Sequence, residues 1–159
     1  KTGAKTHIVV FRAKSGKIDR YRKFMGYKNS GQVKGWSATK KFNPGDLALF
    51  YFGGPLRSVV ALGMVKSGHY EEAGPFDWTK KKKAVFCDYK PVWFLKNDLP
   101  LTGNFTHTVL KKWYKGKPYR STRKIPQQVS ASLLNKIFVL NPQIRSKLAK
   151  KGFFKPCHK

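Results

Sequence analysis

Two tryptophans, Trp36 and Trp78, lie in polar or basic stretches beside glycine: Lys34-Gly35-Trp36-Ser37 and Gly74-Pro75-Phe76-Asp77-Trp78-Thr79-Lys80. An indole set in a loop does one of two things. It lids the core, or it offers a flat face on which a nucleobase stacks, an interaction of roughly 1–3 kcal/mol per base that needs no specific hydrogen bond. Two facing indoles would sandwich a base extruded from its strand, or wall a cage around a methyl group while a backbone group reads the remaining N–H. Trp113, in Lys112-Trp113-Tyr114-Lys115, would be a third wall, a surface stacker or a lid. Trp93, in Val92-Trp93-Phe94-Leu95, reads as core.

Cations accompany these rings. Lys80, Lys81, Lys82 and Lys83 follow Trp78, so the backbone of a base held there would meet four ammonium groups. Arg120 and Arg123, followed by Lys124, are the best phosphate forks, because a guanidinium matches two phosphate oxygens at once. A lysine run is ordinarily a solvated face. Its adjacency to a candidate stacking loop favours the binding role.

Nothing in the chain offers catalysis. His7, His69, His107 and His158 have no metal-ligand spacing. The acids Asp19, Asp46, Glu71, Glu72, Asp77, Asp88 and Asp98 are scattered, and the adjacent Glu71 and Glu72 suit a solvated turn. No glycine loop precedes a Lys-Ser or Lys-Thr pair. Cys87, in an apolar strand, reads as core rather than as a thiolate. The expectation is no enzyme, no cofactor and no metal.

Charge sets the partner class. The 159 residues carry 34 Lys and Arg against 7 Asp and Glu, a formal +27. So much like charge opposes compaction, and a polyanion relieves it while releasing counterions. The 40% hydrophobic and 14% aromatic share excludes a disordered tail. No lipidation motif or long amphipathic basic helix supports a membrane partner. No signal peptide and no bilayer-length apolar run is visible, so the reading is an intracellular chain, cytoplasmic in a prokaryote or nuclear in a eukaryote. Cys87 and Cys157, 70 residues apart, suggest neither a disulfide framework nor a zinc site. The start at Lys1 suggests a processed form or a piece of something longer.

The elements that must position these residues are legible in outline. His7–Phe11 reads as a strand, and Lys14–Lys28 as a short helix or ordered loop. Asn43-Pro44-Gly45-Asp46 is a tight turn. Leu47–Phe52 and Val59–Val65 form a hairpin. Gly68–Lys83 is irregular, and Ala84–Leu95 is a strand in which Pro91 marks a bulge or an edge. Leu101–Lys124 is loop-like. Pro126–Phe138 is the best helix, with Ser130 as its cap and Leu133, Leu134, Ile137 and Phe138 on one face. A second short helix follows over Pro142–Lys151. The expected fold is α+β, one domain over 1–159: a small, strongly bent antiparallel or mixed sheet or open β-barrel, flanked by helices. The core spans about 7–140, with a basic extension over 141–159.

At these residues the chain resembles a known group. Gly35-Trp36-Ser37-Ala38-Thr39 is similar to the Gly-x-Trp-Ser-Thr element of YTH domains. Leu47–Phe52, Ala61-Leu62-Gly63-Met64-Val65, the loop ending at Trp78, Val92-Trp93-Phe94 with Asn97-Asp98-Leu99-Pro100, and Lys117–Arg123 resemble later YTH pieces. Gly45-Asp46-Leu47-Ala48-Leu49-Phe50-Tyr51 resembles the Gly-Asp-led strand of the related EVE domains. Both families are PUA-like. The resemblance implies a small β-barrel that reads a modified base in an aromatic pocket, N6-methyladenine in RNA for YTH proteins, or modified DNA in the targeting domains of restriction systems. Carried over by position, Trp36 and Trp78 are the walls, Ser37 offers a backbone group to the base edge, and Arg120 and Arg123 hold phosphate. YTH domains place base-contacting asparagines after the first strand, where this chain has Arg12-Ala13-Lys14-Ser15.

Three partners are therefore weighed. The first is DNA carrying methylated adenine, read by a domain that an associated effector completes. The second is RNA, methylated or gripped by shape and charge. The third is a ribonucleoprotein in which the chain is a structural component and the tryptophans are core.

Overall fold

The computed structural model describes residues 6–11, 14–15, 18–37, 42–53, 56–67, 70–74, 83–101, 108–114 and 123–151. The strands are β1 (Thr6–Phe11), β2 (Lys14–Ser15), β3 (Ile18–Asp19), β4 (Val33–Ser37), β5 (Leu47–Phe52), β6 (Ser58–Val65), β7 (Tyr70–Ala73), β8 (Lys83–Pro100) and β9 (Arg123–Lys124). The helices are α1 (Arg20–Met25), α2 (Thr108–Tyr114), α3 (Gln127–Leu140) and α4 (Pro142–Lys150).

β5 organises the molecule. All six of its residues are apolar and buried, as a strand covered on both faces requires. Leu47, Leu49 and Tyr51 point to one face and Ala48, Phe50 and Phe52 to the other. β5 pairs with β6 as the expected hairpin, and with β1 in parallel. The Asn43–Asp46 turn feeds it. Asp46 is buried and its carboxylate accepts the Asn43 N–H at 3.0 Å, while Gly45 takes φ +90°. Glycine suits that conformation because it has no Cβ to clash.

The sheet runs β4-β8-β6-β5-β1-β9, and β2 and β3 form a separate small pair. Phe86 of β8 pairs with both Ser37 of β4 and Tyr70 of β7, so β7 continues β6 along one edge of β8 while β4 takes the other. The fold is α+β with a curled, mixed sheet, as expected, and in its open form: β4 and β9 end the path and are not paired with each other among the described residues.

β8 passes through Pro91 with a bulge, as its missing N–H demands. Lys90 and Pro91 together face Met64 alone. A larger excursion, Leu95–Asp98, lies opposite Val60. It carries Asn97 to the junction of α3 and α4. There Asn141 accepts the Asn97 backbone N–H and donates to its carbonyl, both at 2.9 Å, and the Asn97 amide donates to Leu140 O.

Two cores result. An aliphatic one joins Leu47, Leu49, Leu62 and Leu99 to α2, α3 and α4 through Leu110, Leu133, Ile137 and Leu148. An aromatic one joins Phe24 of α1 to Trp36, Phe42, Phe50, Phe52 and Tyr89. Each fully buried large side chain contributes about 1.5–3 kcal/mol.

Three local expectations change. Leu101–Lys124 is not wholly loop: α2 forms within it, anchored by buried Leu110. Tyr70–Ala73 is strand, because β8 is long enough to pair with a second partner beyond β6. Ser130 is not the cap of α3. Pro126 holds that place at ψ 146°, and Ser130, a turn inside and buried, donates its backbone N–H to Pro126 O.

Candidate nucleic-acid interface

Trp36 lies on an edge strand rather than in a loop. Val33 pairs with Tyr89 and Trp36 with Cys87, so Lys34 and Gly35 face Asp88 alone. This is a one-residue bulge, and Gly35 takes the positive φ, +64°, that such a bulge needs. The extra residue re-aims the next side chain, turning Trp36 onto the aromatic core.

Asp88 holds the bulge. Its Oδ1 accepts the Gly35 N–H at 2.8 Å and the Tyr70 hydroxyl at 3.0 Å. Its backbone carbonyl accepts the Lys66 N–H at 2.8 Å, where β6 hands over to β7. One residue thus ties β4, β7 and the β6 exit to β8. Burial, and then the hydrogen bond and charge of Asp88, push the Tyr70 phenol up to about 12, so Tyr70 stays a donor. Neither Asp88 nor Tyr70 was among the expected site residues. The available signal was Asp88 itself: the lone carboxylate of the largely apolar Ala84–Leu95 run, between Cys87 and Tyr89, has to find donors.

Trp36 is 7% exposed. Phe24 meets it edge-on at 5.4 Å between centroids, and Tyr27 stands perpendicular at 6.2 Å. The indole is therefore backed and oriented by rings, and a base would stack on it only as the groups over it give way. Cys87, its cross-strand neighbour, is buried; burial first, then Asp88 and Asp46, push the thiol up to about 12. It is a neutral core group, as its sequence setting suggested.

The other expected residues separate. Ser37 ends β4, its backbone paired with Phe86. Lys83 opens β8, exposed, and Lys34 is exposed within the bulge, so two cations flank the Trp36 end of the sheet. Trp78, Lys80, Lys81, Lys82 and Arg120 lie outside the described residues. Trp113 sits on α2, half-buried against the aliphatic core, and the structure does not bring it to Trp36. Trp93 also packs on that core, matching its reading. Arg123 and the exposed Lys124 form β9, paired with Ile8 and His7 at the opposite end of the sheet path from β4. Among the described residues no three His, Cys, Asp or Glu side chains gather as metal ligands, and no helix is long and apolar enough to cross a membrane.

The profile of the family described as EVE domain matches residues 11–136. A comparison with the curated proteins matched none of them. Among solved structures, protein Atu2648 from Agrobacterium tumefaciens superposes with TM-score 0.60 at 14% identity, covering 87% of this chain and 97% of that one. The ASCH protein of Zymomonas mobilis, as a mutant form, gives 0.53 at 9% identity over 82% and 95%. The YTH domain of Zygosaccharomyces rouxii MRB1, in complex with N6-methyladenosine RNA, gives 0.49 at 16% identity over 86% and 88%.

Proposed function

We propose, from the premise that this chain belongs to the EVE domain family, that it is a non-catalytic reader of nucleic acid. It takes an extruded, modified base against Trp36 and Trp78 and holds the flanking phosphates with Lys and Arg. The observation that carries this reading is the meeting, at one end of the sheet, of an indole fixed by the Gly35 bulge with exposed Lys34 and Lys83, in a chain of net charge +27. The Asp88 network fixes the orientation of that wall, so once the groups over Trp36 give way the indole itself needs no further ordering, which lowers the cost of binding. The likeness of Gly35-Trp36-Ser37 to the YTH element favours N6-methyladenine as the base. The polymer we favour is DNA, the domain serving as the targeting part of an assembly whose chemistry lies elsewhere.

The test is binding to one oligonucleotide sequence prepared as DNA and as RNA, each with and without N6-methyladenine, at low and raised salt. We expect the methylated DNA to be preferred about tenfold or more, equivalent to ~1.4 kcal/mol, with the preference surviving added salt. Trp78→Ala and Trp36→Phe should erase that preference and leave a salt-sensitive background. A preference confined to the RNA pair would assign the site to methylated RNA instead. Equal binding to all four, falling together as salt rises, would leave a charged surface with no base pocket.

A further inference from the structure

The acidic residues of this chain stop at Asp98. Residues 99–159 carry 14 Lys and Arg and no Asp or Glu. This segment builds α2, α3 and α4, which cover the aliphatic face of the sheet, away from Trp36. α3 packs against both of its neighbours. α4 turns Ile144 and Leu148 into the core and leaves Arg145, Lys147 and Lys150 exposed, with Lys151 exposed just beyond. Lys150 and Lys151 follow Lys147 by three and four residues, Lys151 at the C-cap, so each lies on the same side of the helix end as Lys147, where residues at these spacings are neighbours at roughly 5–6 Å between Cβ atoms.

Cations at that spacing repel one another, and no acid on any of the three helices offsets them. The strip is also held in place. Asn141, 1% exposed, starts α4 and is locked to the β8 excursion by its paired hydrogen bonds with Asn97. A rigid row of like charge gains most from a rigid row of opposite charge. A membrane fits less well, because an interfacial helix needs a free apolar stripe, and the stripe of α4 is already in the core.

We propose that the outer side of α4 is a second nucleic-acid surface, which grips the phosphate backbone of a duplex through Lys147, Lys150 and Lys151 and reads no bases. It lies across the sheet from Trp36, so it engages a different stretch of nucleic acid from the one that would present a base there. The inference rests on the reading above only for the class of partner.

The experiment uses the full chain and an unmodified DNA duplex, with affinity measured over a series of salt concentrations. Removing one lysine–phosphate pairing lowers the slope of log affinity against log salt by about 0.9. The triple variant Lys147→Glu, Lys150→Glu, Lys151→Glu, and its Gln counterpart, should lower the slope by about 2–3 and weaken binding roughly tenfold or more near physiological salt. A charge-matched control, Lys23→Glu, Lys28→Glu, Lys90→Glu, should be weakened distinctly less. Thermal melts establish that each variant is folded. Equal weakening in the control would mean that net charge alone acts, and an unchanged slope would mean that α4 is only solvated; either overturns the proposal. So would binding of phosphatidylserine vesicles through the strip with the duplex slope unaltered. The methyl preference reads the other site separately. Its absence from the parent chain removes the base pocket and leaves this surface standing.

Discussion

The two faces of the central sheet are built from different material. One is aliphatic, with Leu47, Leu49, Leu62, Leu133 and Ile137 interleaved under three helices. The other is aromatic, with Phe24 at its centre, 4.7 to 5.3 Å by ring centroid from Phe50, Phe52 and Phe94. Aliphatic contacts are non-directional and scale with area. Aromatic pairs prefer tilted and edge-to-face geometries, so a ring set among rings is held at an angle as well as in a place. The face that only has to anchor helices uses the first kind of packing. The face that holds Trp36 uses the second, and adds the Asp88 hydrogen bonds at its edge.

The largest effects should come from opening each core in turn. Phe24→Ala removes the ring that Trp36 leans on and is expected to cost about 3–5 kcal/mol, and Leu133→Ala about 2–5 kcal/mol, both read from urea unfolding. The two should part in function. At temperatures where both variants are still folded, Leu133→Ala should keep the methyl preference and Phe24→Ala should lose it. If Leu133→Ala erases the preference as fully, the two faces are not independent and the division between them fails.

Two intermediate substitutions sharpen the same division. A Cβ on Gly63 would come within 2.9 Å of Phe50 Cε2 and 3.1 Å of Val92 Cγ2. Gly63→Ala should therefore overpack the aromatic side at about 1–3 kcal/mol. On the helical side, Asn141→Ala strands the Asn97 N–H and carbonyl, with an expected cost of about 1–3 kcal/mol. Hydrogen exchange should then quicken in α4 while β4 keeps its protection. Equal quickening in both would mean that the clamp holds the whole sheet rather than the helix junction.

What could be seen in the sequence follows the same line. The β5–β6 hairpin was legible because Leu47–Phe52 is an unbroken apolar run behind an Asn-Pro-Gly-Asp turn. α3 was legible because its buried residues recur at helical spacing. α2 was not, since seven residues with two lysines and a tryptophan give too little periodicity, and Leu110 shows its role only once the aliphatic core is assembled. Trp36 was picked out by its glycine and basic setting, yet its place on a strand depends on Asp88, far along the chain, and no local pattern carries such a pairing. The cations expected to serve one site illustrate this too: Lys83 falls near the Trp36 end of the sheet and Lys124 at the other, a consequence of strand order rather than of spacing.

Asp88→Asn tests the edge itself. The amide oxygen can still accept from Gly35 and Tyr70, but charge-assisted bonds are about twice as strong as neutral ones. The expected cost is therefore modest, about 1 kcal/mol. Its signature is a loss of methyl preference out of proportion to the loss of stability, with the salt-dependent background unchanged. A variant that keeps full preference would make Asp88 a structural tie with no part in orienting Trp36.

The smallest effect is a titration. The Tyr70 phenol lies at about 12, against about 10 for an unfolded tyrosine. Below pH ~10 the phenol is protonated in both states, and the contribution to stability is complete. Between ~10 and ~12 the unfolded chain gives up a proton that the folded chain keeps, so stability falls as pH rises through that window. The difference in near-ultraviolet phenolate absorbance between the parent and Tyr70→Phe should isolate the step. Burial is the first cause of the shift and Asp88 the second. In Asp88→Asn the step should therefore move down from its parental position yet stay above the ordinary tyrosine range. A step that does not move would show that Tyr70 is held by burial alone, and the Asp88 side chain would then tie the Gly35 bulge to β8 without engaging β7.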